Sequence, residues 1–169
     1  MITDKIYLVG FMASGKSTVA RHLGQRLGWR HEDVDDLIEA RERQRIADIF
    51  SKRGEPYFRS VEKDILKLLL PIRQIVVATG GGTFADPENR NAMLMDGTAV
   101  WIDVPLTELI PRIPLDGRRP LAADRAALER LYQSRVDTYR LAHIRITASR
   151  MSPSIVADRI VDTLAVYPG

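Results

Sequence analysis

Residues 10–18 constrain this chain most, because they have the G-x-x-x-x-G-K-S pattern of a phosphate-binding loop. The apolar run at residues 6–9 is typical of a buried strand, and the amphipathic pattern after the loop predicts a helix that ends at Gly28. Such a loop turns backbone N–H groups and the positive end of the helix dipole toward one point, where a polyphosphate can bind. We expect Lys16 to contact the phosphates and Ser17 to ligate Mg²⁺. A strand–helix turn that binds nothing is the alternative.

The composition narrows the class of protein. The 169 residues suit a single globular domain, and no apolar run approaches the roughly 20 residues that span a bilayer. Since the first residues also lack a signal-peptide pattern, we expect a cytoplasmic protein with no membrane partner. The absence of cysteine excludes disulfides and thiolate zinc sites. The net charge of +3 and the scattered basic residues suit small anions and predict no nucleic-acid partner.

Strand-like and helical segments alternate along the chain, which predicts an α/β fold with a mainly parallel sheet. Apolar strand patterns occur at residues 75–78, 99–103 and 144–148. From about residue 36 to residue 70 only helical patterns occur, and we expect this helical insertion to contribute to a substrate site. Residues 114–124 lack periodicity and are predicted to form a polar loop.

Two aspartates follow the predicted second strand. In an extended segment Asp33 and Asp35 point the same way, and strand ends beside a phosphate loop line the ligand crevice. One carboxylate could hold Mg²⁺ through a water, while the other binds a substrate hydroxyl and accepts its proton. Asp36 and Glu39 fit a capping box with Asp36 as the N-cap, which leaves the other two carboxylates available. Helix capping or a solvated turn is the alternative for this pair.

Phosphoryl transfer depends on charge neutralisation, so arginines are further candidates. Arg135 lies four residues after Leu131 and four before Tyr139, on the apolar face of a helix, where it needs an anionic partner from the protein or a ligand. Arg59 lies on the flank of a helix among charged neighbours, and its spacing alone favours a surface ion pair.

Three further features have both a functional and a structural interpretation. Arg118 and Arg119 in the aperiodic loop suit a lid that closes over phosphates, with a solvated basic loop as the alternative. The glycines at 80–82 follow a core strand and allow a ligand to approach the backbone, with an empty tight turn as the alternative. Asp103 ends an apolar strand and competes with Asp33 for a role at the metal.

Taken together, these residues resemble the shikimate kinase family. The matching segments are collinear over nearly the whole chain, so the ordered set is far more specific than the phosphate loop alone. They comprise residues 10–18, 33–35 with 38–39, 46–50, 54–62, 79–82, 119–121, and Arg135 with Tyr139.

The resemblance implies a P-loop, nucleoside-monophosphate-kinase-like fold, in which helices flank a five-stranded parallel sheet. It implies ATP-dependent phosphorylation of the 3-hydroxyl of shikimate, giving shikimate 3-phosphate and ADP on the way to chorismate and the aromatic amino acids. ATP is the expected co-substrate, with one Mg²⁺ per subunit, and a monomer is expected. The single domain is expected to comprise a core (1–32, 72–111 and 125–169), substrate-binding helices (about 33–70) and a lid (about 112–124).

The resemblance also implies site residues, carried over by position. The expected catalytic residues are Asp35 as the candidate base, Lys16, and Arg119 as the lid arginine that reaches the ATP phosphates. The expected shikimate contacts are Asp35, Arg59 and Arg135, with both arginines on the carboxylate, and Gly80, Gly81 and Gly82. The expected ATP contacts are Ala13, Ser14, Gly15, Lys16, Ser17, Thr18, Arg112, Arg119 and Pro153, with Arg112 packed on adenine. Ser17 is the expected Mg²⁺ ligand, with Asp33 acting through water.

Two of these assignments go beyond the residue patterns. For Arg59 the resemblance overrides the surface ion pair, and for Arg135 it selects a ligand as the anionic partner. Ala13 replaces the glycine or proline that many members carry nearby, and this replacement is expected to be harmless if the φ of Ala13 is negative.

Two other functions are compatible with a phosphate loop. One is another small-molecule or nucleotide kinase of the same fold, such as a gluconate or adenylate kinase. An arginine pair with a hydroxyl-binding aspartate suits a polyhydroxy acid better than a nucleotide acceptor. The other is a nucleotide-binding regulatory module without transfer activity, against which the presence of Asp35 and Arg119 argues.

Overall fold

The computed structural model describes residues 3–113 and 125–166. Within these residues, five parallel strands form one sheet in the order β2-β3-β1-β4-β5, which confirms the predicted architecture. The strands are β1 (Lys5–Val9), β2 (Arg30–Asp33), β3 (Ile75–Ala78), β4 (Thr98–Asp103) and β5 (Ile144–Thr147). The α-helices are α1 (Lys16–Leu27), α2 (Val34–Glu42), α3 (Ile46–Arg53), α4 (Glu55–Leu69), α5 (Pro87–Asp96), α6 (Leu106–Leu109), α7 (Arg125–Tyr139) and α8 (Pro153–Val166), and short 3₁₀ helices span Thr83–Ala85 and Ile110–Arg112.

The centre of the sheet is apolar, and its topology determines where the site lies. β1 lies between β3 and β4, and all residues of β1 and β3 are buried, as expected for continuous apolar runs covered by helices on both faces. Because the strands are parallel, the segments that follow β1, β2 and β3 meet at the same edge of the sheet. These segments are the phosphate loop, the start of α2 and the glycine turn.

In sequence, the helical insertion lies between the edge strand β2 and β3, its neighbour in the sheet. β2 is only four residues long, and its first two residues are exposed. Residues 34–69, all within the described part of the chain, contain α2, α3 and α4 and no strand, as predicted. α4 buries an apolar face that includes Phe58, Val61 and Ile65, and this packing fixes the side chains that α4 presents toward the sheet edge.

The end of α1 and the start of α8 carry residues that are typical of helix termini. α1 ends at Gly28, whose φ of 68° is the left-handed conformation that a glycine stop favours. α8 begins at Pro153, and the Ser152 hydroxyl accepts a hydrogen bond from Ile155 N (3.3 Å). α1 and α8 pack against each other, so the phosphate loop and the start of α8 lie on neighbouring helices. None of the helices in the described ranges has the length and apolarity to cross a bilayer.

A buried lysine occupies the amino end of the central strand. The Lys5 ammonium is fully buried and donates to Leu69 O (2.7 Å), Leu70 O (2.8 Å) and Asp96 Oδ2 (2.6 Å). Asp96 also accepts from the Tyr7 hydroxyl (2.6 Å) and from Arg73, which lies in the loop between α4 and β3. Burial lowers the pKa of Lys5, and the carboxylate of Asp96 opposes this effect. The network ties the ends of α4 and α5 to β1, at the edge of the sheet opposite the phosphate loop.

Candidate active site

The phosphate loop is held together by its own lysine. Lys16 is largely buried, and its Nζ donates to Gly10 O (2.8 Å), Phe11 O (2.8 Å) and Ser14 Oγ (3.4 Å). Gly15 caps α1 with a φ of 89°, a conformation that suits glycine. The loop lines a cavity, here called the loop cavity, whose lining residues are Ala13, Ser14, Gly15, Lys16, Ser17, Thr18, Asp33, Asp35, Thr79 and Arg112.

The condition under which alanine is harmless in this loop is not met. Ala13 has a φ of 64°, so it lies in the left-handed region. The tight turn of the loop forces this conformation, because its backbone must curl around the lysine. An alanine in this region carries a steric cost of about 1 kcal/mol.

The capping assignment at the start of α2 was wrong. The N-cap is Asp33, whose Oδ1 accepts from Asp36 N (3.1 Å), and Glu39 instead accepts from Ile46 N (3.0 Å). The physical reason is that β2 continues to Asp33, so the helix must begin directly after that residue. The second carboxylate oxygen of Asp33 accepts a hydrogen bond from the Ser17 hydroxyl. One aspartate therefore joins the helix cap to the loop cavity.

Asp35 lies in the first turn of α2, not in an extended segment, so the geometric argument that paired it with Asp33 was wrong. Both aspartates nevertheless line the loop cavity. Asp35 is 8% exposed and also lines a second cavity, here called the arginine cavity. It packs against Gly80, where an added Cβ would lie 2.9 Å from Asp35 Oδ1. The Asp35 carboxylate is thus at the boundary of two cavities.

The arginine cavity brings together the predicted acceptor-binding residues. Its lining residues are Phe11, Met12, Asp35, Ile46, Phe50, Phe58, Arg59, Glu62, Gly80, Gly81, Gly82, Leu131 and Arg135. Arg59 comes from α4 and Arg135 from α7, so their two positive charges reach the cavity from separate elements. At Gly82 an added Cβ would lie 2.5 Å from Arg59 Nη2, so a larger residue there would displace the guanidinium.

Arg59 makes the ion pairs that its spacing predicts and also lines the cavity. Its Nη1 lies 3.0 Å from Glu62 Oε1, and its Nη2 lies 3.4 Å from Glu55 Oε1. Burial lowers the pKa of Arg59, but the two carboxylates outweigh burial and raise it, so the guanidinium is charged.

Glu62 is a site residue to which the sequence reasoning assigned no role. Its side chain is buried, and it accepts from Thr83 Oγ1 (2.8 Å) as well as from Arg59. Burial raises the pKa of Glu62, with Arg59 acting in the opposite direction. Its position four residues after Phe58 and three before Ile65, on the apolar face of α4, is the signal that could have identified it.

Tyr139, on α7, holds the glycine turn through a hydrogen bond to its backbone. Its hydroxyl donates to Gly81 O (2.5 Å), and burial raises the pKa of this phenol, so it stays a donor. Because Tyr139 lies one turn after Arg135 on α7, the same helix supplies a cavity arginine and holds the turn that faces it.

A third cavity, here called the proline cavity, adjoins the phosphate loop. Its lining residues are Ser14, Gly15, Val19, Val104, Arg112, Ala148, Met151, Pro153 and Val156. Arg112 lines both this cavity and the loop cavity. Arg112 and Pro153, both predicted to contact ATP, therefore share one cavity.

The remaining candidates lie elsewhere. Asp103 pairs with Arg145 on β5 (2.6 Å), whereas Asp33 lies at the loop cavity beside Ser17. Arg118, Arg119 and most of the predicted lid fall outside the described residues. The described ranges contain no group of three or more His, Asp or Glu side chains that could hold a metal ion.

Comparison with known proteins identifies the family. A family model described as shikimate kinase matches residues 12–165. The chain belongs to the shikimate kinase family. It is 43% identical over 157 residues to the shikimate kinase of Persephonella marina, covering 92% of this chain and 96% of that one. The predicted activity, ATP-dependent phosphorylation of shikimate by a transferase of aromatic amino acid biosynthesis, is the activity of this family.

Solved structures of shikimate kinases have the same fold as this chain. The enzyme from Acinetobacter baumannii in complex with shikimate superposes with a TM-score of 0.92 at 33% identity, covering 97% of this chain and 94% of that one. The enzyme from Aquifex aeolicus superposes with a TM-score of 0.83 at 37% identity, covering 95% and 96%.

Proposed function

We propose that this shikimate kinase transfers the γ-phosphoryl group of ATP across the boundary between the loop cavity and the arginine cavity, with Asp35 at the point of transfer. The observation that carries this proposal is that the Asp35 carboxylate lines both cavities. In this arrangement the loop cavity holds the phosphates and the arginine cavity holds shikimate. Asp35 accepts a hydrogen bond from the 3-hydroxyl and takes its proton as the oxygen attacks phosphorus.

The charges of the arginine cavity suit the carboxylate of shikimate. Arg59 and Arg135 approach from different helices, and a guanidinium binds a carboxylate through paired N–H groups. Glu62 and Glu55 hold Arg59 in place, so its orientation is set before the acceptor binds. Gly80, Gly81 and Gly82 bring backbone close to the acceptor, while Phe50 and Phe58 supply apolar surface for the ring.

The phosphates of ATP are assigned to the loop amides, Lys16 and, from the lid, Arg119. Ser17 and Asp33 offer a hydroxyl and a carboxylate oxygen in contact with each other. Such a pair fits Mg²⁺, which takes one or two protein oxygens together with waters and substrate phosphates. When bound there, Mg²⁺ neutralises charge on the β- and γ-phosphates. The nucleoside is assigned to the proline cavity, between Arg112 and Pro153.

The substrate assignment is tested by the release of ADP in a coupled assay with shikimate, gluconate and AMP as acceptors. Turnover is expected with shikimate only. ATP binding without turnover of shikimate would contradict the proposed function.

The role of Asp35 is tested by Asp35→Asn. This variant is expected to lose transfer while its ATP affinity changes by less than about tenfold, or about 1.4 kcal/mol. The matched control is Asp103→Asn, which removes a carboxylate from another strand end, where it pairs with Arg145. The control is expected to keep most of its activity. A large loss of ATP affinity in Asp35→Asn would contradict the assigned role.

The proposal extends to the organisation of the chain. The core, the substrate-binding helices at about 33–70 and a lid at about 112–124 act as parts of one domain, which works as a monomer in the cytoplasm without nucleic-acid or membrane partners. Sedimentation of the pure enzyme tests the monomer, since a dimer at assay concentration would contradict it.

A further inference from the structure

Glu108 connects two segments of the chain that enclose the proline cavity. It lies on α6, and its carboxylate is engaged at both oxygens. Oε1 accepts from the Ser149 hydroxyl, and Oε2 accepts from Arg150 N (3.0 Å). Residues 149 and 150 belong to the loop between β5 and α8, so this contact joins α6 to that loop.

The loop that Glu108 holds has a strained backbone. Arg150 has a φ of 55°, which is uncommon for a residue other than glycine. A residue keeps such a conformation only where its surroundings hold it there. Ala148 and Met151, which flank the two residues bound by Glu108, line the proline cavity. The bond to Arg150 N therefore supports the part of the loop that forms one wall of this cavity.

A second lining residue of this cavity follows directly after the helix that carries Glu108. α6 runs directly into the 3₁₀ helix Ile110–Arg112, and Arg112 lines both the proline cavity and the loop cavity. Hydrogen bonds from Ser149 and Arg150 lower the pKa of Glu108, and the charge of Arg112 lowers it further. The carboxylate is thus ionised at neutral pH, so both hydrogen bonds from the 148–151 loop are made to a charged acceptor.

We propose that Glu108 is a positioning residue for nucleoside binding, which holds the 148–151 loop against α6, the helix that leads directly into the segment of Arg112, so that the two segments enclose the proline cavity. Glu108 is not among the residues that line this cavity, so it acts through the two segments. The proposal rests on the proposed function, which assigns the nucleoside of ATP to the proline cavity and its phosphates to the loop cavity.

The test compares two ligands that share phosphates but differ in the nucleoside. Magnesium–ADP would use both cavities, whereas magnesium–tripolyphosphate would use the loop cavity alone. In Glu108→Ala the Kd of ADP is expected to rise about tenfold, equivalent to about 1.4 kcal/mol, while the inhibition constant of tripolyphosphate is unchanged. The KM of ATP rises accordingly, whereas kcat at saturating ATP and the KM of shikimate stay near their original values.

Three further variants separate positioning from a general effect on structure. Glu88→Ala removes a glutamate of the same charge from α5, where it pairs with Lys63, and is expected to leave both ligands unaffected. Glu108→Gln keeps an oxygen acceptor and is expected to lose less ADP affinity than Glu108→Ala. Adding Arg150→Gly to Glu108→Ala is expected to restore part of the lost affinity, because glycine adopts a positive φ without strain.

Several results would overturn the proposal. These are unchanged ADP affinity in Glu108→Ala, equal losses for ADP and tripolyphosphate, or a lower Tm with no change in the ratio of the two affinities. If Glu108→Ala does not fold, the same comparison is made with Glu108→Gln, and an unchanged ratio there also overturns the proposal. A failure of the proposed function looks different, because the unaltered enzyme would then bind ADP no more tightly than tripolyphosphate.

Discussion

Lys5→Met removes the only ammonium from the buried network at the amino end of β1 while keeping most of the side-chain volume. Three acceptors lose this donor: the carbonyl oxygens of Leu69 and Leu70, and the carboxylate of Asp96. The activity is expected to stay unchanged, because this network lies at the sheet edge opposite the three cavities.

The size of the effect follows from what each acceptor keeps. Leu69 O still accepts a hydrogen bond from Ile72 N, and Leu70 O still accepts one from Arg73. Asp96 keeps the hydrogen bond from the Tyr7 hydroxyl. None of the three groups is therefore left without a partner, so the loss is smaller than the 3–5 kcal/mol typical of a broken buried ion pair. Removing the buried ammonium also removes the free-energy cost of its desolvation, which offsets a further part of the lost stability. We expect a loss of about 2 kcal/mol, which for a chain of this size corresponds to about 4–8 °C in Tm.

The measurement is urea unfolding at pH 7, with thermal unfolding as a second probe. The control is Lys63→Met on α4, which removes a partly exposed lysine that pairs with Asp86 and Glu88 and is expected to shift the midpoint much less. A Lys5→Met protein as stable as the original, or more stable, would refute the reasoning, because apolar packing would then outweigh the hydrogen bonds of the network.

Three other predictions concern single side chains. Ala13→Gly is expected to raise the free energy of unfolding by about 0.5–1 kcal/mol in urea, because it relieves a positive φ, and a loss of stability would argue against strain at this position. Tyr139→Phe removes the donor to Gly81 O and is expected to raise the KM of shikimate several-fold, with the KM of ATP unchanged; the reverse pattern in steady-state kinetics would contradict it. The Nδ1 atom of His143 accepts a hydrogen bond from Ala99 N (3.0 Å), and burial lowers the pKa of His143. As the pH falls below about 6.5, the unfolded chain therefore takes up the proton first, and stability is lost until the pH passes the folded-state pKa. His143→Asn, which can accept the same bond without titrating, is expected to flatten the dependence of Tm on pH between about 7 and 5, and an unchanged slope would exclude His143 as its source.

The elements with strong local patterns could be predicted from the sequence. The continuous apolar runs of β1, β3 and β4 and the helical periodicity of α4 depend on burial, which the spacing of apolar residues reports directly. The phosphate loop was predictable for a related reason, since its glycines and lysine are required by backbone geometry close to the residues themselves.

The errors, and the features for which the sequence made no prediction, lie where distant parts of the chain decide the local structure. Three aspartates at positions 33, 35 and 36 each suit an N-cap, and pairing of β2 with β3 selects Asp33 by carrying the strand as far as that residue. Lys5 precedes an apolar run and has the pattern of an exposed strand start, yet the ends of α4 and α5 cover it. Glu62 likewise depends on Thr83, which is 21 residues away in sequence.

The contacts that Lys16 makes with its own loop affect how its substitution should be interpreted. Its ammonium is already withdrawn from water and already fixed by Gly10 O and Phe11 O, so a phosphate meets a preorganised charge, and little conformational entropy is lost on binding. The same contacts mean that the lysine also stabilises the structure of the loop. Activity lost in Lys16→Ala would therefore combine a missing positive charge with the loss of these loop hydrogen bonds, and that variant alone could not measure what the charge contributes to transfer.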